Sequence, residues 1–290
     1  MSKVVNDNNR IFVLLSLYLN DHSKIITKEM IDNVKNESIS EELAFKLLLS
    51  SIFQLDIHHN LDDKRLYYEY IDKIIKKLDP SEYQNDPYYK NIKWMNKTIG
   101  NCQLHYSTYQ EYEGFVYDDI DLYPNGKQIP RVGFFNKKYR YPAVYEDGQL
   151  WMSITPNEIN TMKNDIDRAF GNVLTYGLGL GYFQYMVSNK ENVSKVTIIE
   201  KNKDIIKLFV EYILPQFPNK DKIKIICMDA FEYAANNVKD IFYDFIYADL
   251  WHDVSDGIEM YQRFKELEKN SPKSVYRYWI EKSIKNFYLI

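Results

Sequence analysis

Residues 173–200 leave this chain few choices of fold. An apolar run, Val173-Leu174-Thr175-Tyr176, breaks into three alternating glycines, Gly177, Gly179 and Gly181. A second apolar run, Val196 to Ile199, ends on Glu200. That order reads as strand, glycine turn, helix, strand, acid, the opening βαβ unit of a nucleotide-binding α/β sheet. Glycines allow a sharp turn and let backbone N–H groups approach a ligand at a helix N-terminus. Glu200 lies 19 residues beyond Gly181, a spacing that suits an acid at a strand tip accepting two ribose hydroxyls.

Downstream, strands and helices keep alternating. Asn202 is a candidate cap for a helix that Pro215 stops, and strands follow over 223–227, 242–248 and 274–279. A helix over about 255–269 separates the last two. This predicts a parallel sheet of about five strands, covered on both faces, with ligands at the carboxyl ends of the strands. Those ends carry the glycine loop, Glu200, Asp229 with Ala230, and Asp249 followed by Trp251, His252 and Asp253.

The glycine spacing separates nucleotide classes. A dinucleotide loop is G-x-G-x-x-G, and here the last glycine position falls on Tyr182 or Gln184. Nicotinamide-dependent oxidoreduction is therefore disfavoured. The G-x-G-x-G pattern resembles the class I S-adenosylmethionine-dependent methyltransferases, whose Rossmann-like fold spermidine synthase shares. Residues 155–200 also look like a group of bacterial methyltransferase-like proteins. The resemblance covers about 151–279 and implies S-adenosylmethionine as cofactor, with a small molecule or protein as methyl acceptor.

Carried over by position, Gly177, Gly179 and Gly181 match the loop that receives the methionine end of the cofactor. Glu200 matches the acid on the ribose hydroxyls, Asp229 the acid receiving the adenine amino group, and the Ala230 N–H the donor to a ring nitrogen. Thr175 matches the position that helps hold the methionine amino group and is expected among the cofactor contacts through its hydroxyl, but it departs from the pattern, since the family has an acid there. Asp249 matches the lining of the transfer centre and is the first candidate to orient a nucleophile or accept its proton, with His252 second. Catechol-type relatives hold a metal near this position, but Asp249, His252 and Asp253 form no convincing ligand set, and no metal is expected.

Two rival readings remain. Spermidine synthases carry two aspartates three residues apart after the fourth strand, whereas Asp249 and Asp253 are four apart. Aminopropyl transfer is thus the lesser enzymatic reading. A non-catalytic cofactor- or partner-binding protein is the other, favoured by Thr175 and by a C-terminally shortened sheet. Only a short helix over 281–290 is expected after the fifth strand, which leaves that strand as an edge. Its apolar residues call for a cover, either the N-terminal helices or a second copy in a homodimer.

The rest of the chain divides into a helical domain over 1–100 and a β-rich segment over 101–154, ahead of the cofactor domain over 155–290. Helices are expected between about 9 and 77, one of them starting after Thr27. Strands over 131–135, 139–145 and 150–154 read as an antiparallel meander. Thr155-Pro156-Asn157-Glu158 reads as a capping box opening a helix. His58-His59 has no third ligand nearby and reads as structural.

A net charge of −4 argues against bulk nucleic-acid binding. Cys102 and Cys227 lack metal-ligand or CxxC spacing. With no transmembrane-length apolar run and no signal-peptide layout, the expected location is cytoplasmic.

Overall fold

In a computed structural model the described residues are 3–288. The chain opens with helices α1 (Lys3–Asp21), α2 (Lys28–Val34), α3 (Glu41–Ile52) and α4 (Leu61–Leu66). A π-helical turn, Tyr67–Ile71, leads to α5 (Asp72–Ile74) and strand β1 (Ile75–Lys77). Helices α6 (Pro80–Gln84) and α7 (Pro87–Asn91) precede β2 (Lys97–Ile99), β3 (Cys102–Tyr109), β4 (Phe115–Leu122), β5 (Gln128–Phe134), β6 (Tyr139–Glu146) and β7 (Gln149–Ser153). Then come α8 (Pro156–Arg168), β8 (Gly171–Tyr176), α9 (Tyr182–Ser188), β9 (Val193–Glu200) and α10 (Lys203–Leu208). The chain continues through β10 (Ile223–Cys227), α11 (Ala230–Asn236), β11 (Phe245–Ala248), α12 (Val254–Leu267), β12 (Val275–Tyr278) and α13 (Glu281–Tyr288).

Two compact units arise, and they do not follow the three sequence segments. One comprises the chain up to Glu82 together with Thr108–Arg140; the other comprises Tyr83–Ser107 and everything from Tyr141 onward. The reason is strand pairing. β5 lies between β1, parallel to it, and β4, antiparallel to it, so the β4–β5 hairpin belongs with the helices. β6 instead joins β2, β3 and β7 in a separate sheet ordered β2-β3-β6-β7. The expected meander is therefore corrected: its first strand and its other two sit in different sheets.

In the first unit, local signals place the helices. Thr27 caps α2 by accepting from the Met30 N–H, and Ser40 caps α3 through the Leu43 N–H. Ala44, Phe45 and Leu49 of α3 are fully buried, and Phe45 stacks on Phe134 of β5 with centroids 4.1 Å apart.

The second unit is organised by a five-stranded parallel sheet ordered β10-β9-β8-β11-β12. In chain order this is 3-2-1-4-5, a Rossmann-like doubly wound sheet. The order reverses between β8 and β11, so the crevice for a ligand opens at their carboxyl ends. Val173, Leu174, Ile198, Ile199, Phe245 and Ile246 are all fully buried in the middle of the sheet, as strands covered on both faces require. Phe183 of α9 stacks on Tyr247 of β11 at 4.1 Å; such a pair adds about 0.5–1.5 kcal/mol beyond the area it buries.

β12 is an edge strand, as expected. Arg277 reaches Asp165 of α8 at 3.4 Å, and the Trp279 Nε1–H donates to Thr161 Oγ1 at 2.9 Å. One expected local feature is absent. Thr155 has extended N-cap geometry, but its side chain accepts no hydrogen bond from the first turn of α8. The capping box does not form, because Glu158 borders the ligand crevice instead of turning back to Thr155.

Candidate functional site

A cavity of about 750 Å³ occupies the crevice at the carboxyl ends of the parallel strands, within the range of small-molecule sites. The β8–α9 turn forms one wall. Gly177 has φ +96°, and a Cβ there would lie 2.1 Å from the Asp249 carbonyl oxygen. At Gly181, φ is +77° and a Cβ would meet Phe209 at 2.3 Å. Both positions exclude any side chain, for lack of space as well as by backbone conformation. Gly179 differs: a Cβ there would approach only the Met152 Sδ at 3.9 Å, on the cavity side.

Most of the residues singled out in the sequence border this cavity: Gly177, Gly179, Glu200, Asp229, Ala230, Asp249 and His252. Two do not. Gly181 caps α9 from behind the loop, against Phe209. Thr175 is fully buried within the sheet, where its Oγ1 accepts from the Gln184 Nε2–H at 3.2 Å. Gln184 also donates to the Gly177 carbonyl at 3.0 Å, and Gln184 rather than Thr175 reaches the cavity. The expectation that Thr175 meets the cofactor is thereby corrected: its short side chain is fully buried beneath Gln184 and does not border the cavity.

Glu200 ends β9 and ties the site together. Its Oε2 accepts from the Leu178 N–H at 3.3 Å and its Oε1 from the Asn202 N–H at 2.7 Å. Asp229 caps α11, with Oδ1 accepting from Phe231 and Glu232 N–H groups at 2.9 and 3.0 Å. Ala230 is the first residue of α11, where an N–H has no intrahelical acceptor. Two carboxylates and one backbone donor thus face the same space, a set that fits the hydroxyls, amino group and ring nitrogen of an adenosine.

Asp249 follows β11, and its N–H donates to the Tyr176 carbonyl at 3.0 Å. Half-buried, its carboxyl is pushed up to about 7 by loss of solvent. Sequence reasoning missed its neighbour Glu158. That carboxyl also borders the cavity, and burial, then the charge of Asp249, push its pKa well up. A capping-box reading hid it, since the same spacing serves both roles.

His252 stands at the cavity rim with its Nδ1 3.1 Å from Asp256 Oδ2 and its ring edge-on to Trp151 at 4.4 Å. Asp253 is occupied elsewhere: it caps α12 in a reciprocal box with Asp256. Asp253 does not border the cavity, so it does not line the crevice beside Asp249. Among the described residues, no group of three or more His, Cys, Asp or Glu side chains is placed to hold a metal ion. No described helix is long and apolar enough to cross a membrane. Both cysteines are free, Cys102 buried and Cys227 exposed.

No protein-family model and no curated protein matches the chain. Among solved structures it is similar to spermidine synthase from Thermotoga maritima, with 15% identity and a TM-score of 0.31. The match spans 53% of this chain and 60% of that one. At that score the similarity adds nothing to what the strand order already establishes.

Proposed function

We propose that the crevice binds S-adenosylmethionine and that the protein transfers its methyl group to an acceptor at Asp249. One observation supports this most: three successive strand ends bring Glu200, Asp229 with Ala230, and Asp249 around one cavity beside the glycine loop. When bound, the cofactor supplies a carbon on a sulfonium whose sulfur leaves as a neutral thioether. The protein's share is alignment, because such a displacement needs little covalent help. Glu200 and Asp229 hold the nucleoside, Gly177 and Gly179 admit its tail, and Asp249 orients the acceptor and takes its proton. A carboxyl with a pKa near 7 is well matched to that exchange at neutral pH.

Calorimetry with S-adenosylmethionine, S-adenosylhomocysteine and NAD tests the reading. Binding of the first two and not the third is expected; NAD binding alone would overturn it. Thr175, an uncharged residue withdrawn into the sheet, favours the second reading, a cofactor-binding protein without turnover. Tight binding with no transfer to any acceptor across a broad panel would favour that one.

A further inference from the structure

The cavity walls are strongly acidic. Glu146, Glu158, Glu200, Asp229, Asp249 and Asp256 border it against a single lysine, Lys201. Four of the six have work already. Glu146 accepts from Asn202 at 3.3 Å, and Asp256 accepts from the His252 N–H at 3.1 Å. Glu200 and Asp229 take the backbone N–H groups described above. Glu158 and Asp249 are different: both border the cavity, among the described residues neither carboxylate has a hydrogen-bond or ion-pair partner, and the charge of Asp249 acts on Glu158. A third group joins them. Tyr247, 1% exposed and also bordering the cavity, has a buried hydroxyl with no hydrogen-bond partner.

Two like charges in a half-buried space are unfavourable unless a proton or a cation sits with them. The surrounding surface suits a cation carried on carbon. Trp251 and Trp279 border the same cavity, and both indole N–H groups are engaged, with the Trp279 carbonyl at 3.3 Å and Thr161 Oγ1 at 2.9 Å. Their rings are therefore held in place, and an indole face attracts an ammonium.

We propose that Glu158 and Asp249, with the Tyr247 hydroxyl, form a receptor for the nitrogen of the acceptor, and that Glu158 sets the preference for an amine over a neutral alcohol. The nitrogen docks as an ammonium and gives its proton to Asp249 before its lone pair attacks the methyl carbon. The proposal rests on reading the cavity as a site for both cofactor and acceptor. Glu158 enters it from the first turn of α8 and Asp249 from the end of β11, so the nitrogen would lie between helix and sheet. The acid-rich wall also draws cations toward the crevice from solution.

The test uses two isosteric pairs, pentylamine with pentanol and benzylamine with benzyl alcohol. Each is titrated into the full chain at about pH 8, where the amines remain protonated, with and without S-adenosylhomocysteine. Tryptophan fluorescence and calorimetry report binding. The expected result is that each amine binds about tenfold or more tightly than its alcohol, and that Glu158→Gln removes most of this preference. S-adenosylhomocysteine binding should be unchanged in that variant, which separates this proposal from the cofactor assignment. Glu158→Asp, which keeps the charge, should retain part of the preference and guards against a folding defect in the amide variant. Equal binding of amine and alcohol, no amine binding in either condition, or a preference that survives both Glu158→Gln and Asp249→Asn would overturn the proposal.

Discussion

The Leu178 N–H donates to Glu200 Oε2 across 3.3 Å, so the acid at the end of β9 is tied directly to the glycine loop after β8. Glu200 therefore has two tasks, shaping the loop and offering acceptors to a ligand.

Replacing Glu200 by Ala should remove both. Binding of S-adenosylhomocysteine is expected to weaken by on the order of 2 kcal/mol, the usual cost of losing hydrogen bonds to a charged group. Glu200→Gln keeps an acceptor oxygen and should lose less. Isothermal titration of the two variants checks this, and parent-like affinity in a folded Glu200→Ala would remove Glu200 from the site.

The loop also gives a contrast between two glycines. Gly177→Ala forces a side chain to a positive φ and against the Asp249 carbonyl oxygen, and should cost roughly 2–4 kcal/mol of stability. Gly179→Ala meets open cavity, so only the backbone penalty of about 1 kcal/mol applies. Urea denaturation should show this difference. The added methyl at Gly179 should act on nucleoside affinity more than on the unfolding midpoint.

Much of this site was legible in the sequence because the parallel sheet links one to the other. Strand ends in an α/β fold converge, so Glu200, Asp229 and Asp249 could be placed together from periodicity alone. What escaped was set by contacts that sequence does not encode locally. Thr175 was misplaced because the loop motif says nothing about which way the preceding strand residue points. Glu158 was overlooked because Thr-x-x-Glu is a sound capping signal, and only tertiary packing turned its carboxyl into the crevice. Likewise the β4–β5 hairpin left its sequence neighbours because its partner, β1, lies far upstream in the chain.

Asp249 makes stability depend on pH with a definite sign. Its carboxyl is pushed from 3.8 to about 7 in the folded chain. Below about pH 4 folded and unfolded chains both hold the proton, and its burial carries no charge penalty. Between about pH 4 and pH 7 the unfolded chain releases the proton while the folded chain keeps it, so this contribution to stability falls as pH rises. Above about pH 7 the penalty stays in full. Asp249→Asn should flatten that fall and be more stable than the parent at about pH 8, with the melting temperature rising about 2–4 °C per kcal/mol relieved. Parallel stability profiles for parent and variant between about pH 5 and pH 8 would show that Asp249 is not the group responsible.

The Gln184–Thr175 hydrogen bond yields the prediction that most directly separates scaffold from ligand contact. Thr175 is buried in the sheet, and Gln184 joins its hydroxyl to the Gly177 carbonyl. Thr175→Val keeps the shape and removes one acceptor, while Gln184 retains its bond to Gly177. Stability should drop by about 1 kcal/mol, with S-adenosylhomocysteine affinity held within about twofold. Gln184→Ala is harsher, because it leaves two buried oxygens without their donor and opens space beneath the loop. It should cost about 2–3 kcal/mol of stability and weaken nucleoside binding as the loop loses its support. Denaturant titration and calorimetry on both variants give the comparison. A tenfold loss of affinity in Thr175→Val with little loss of stability would instead mean that the hydroxyl reaches the nucleoside, and that the glycine loop opens to let it do so.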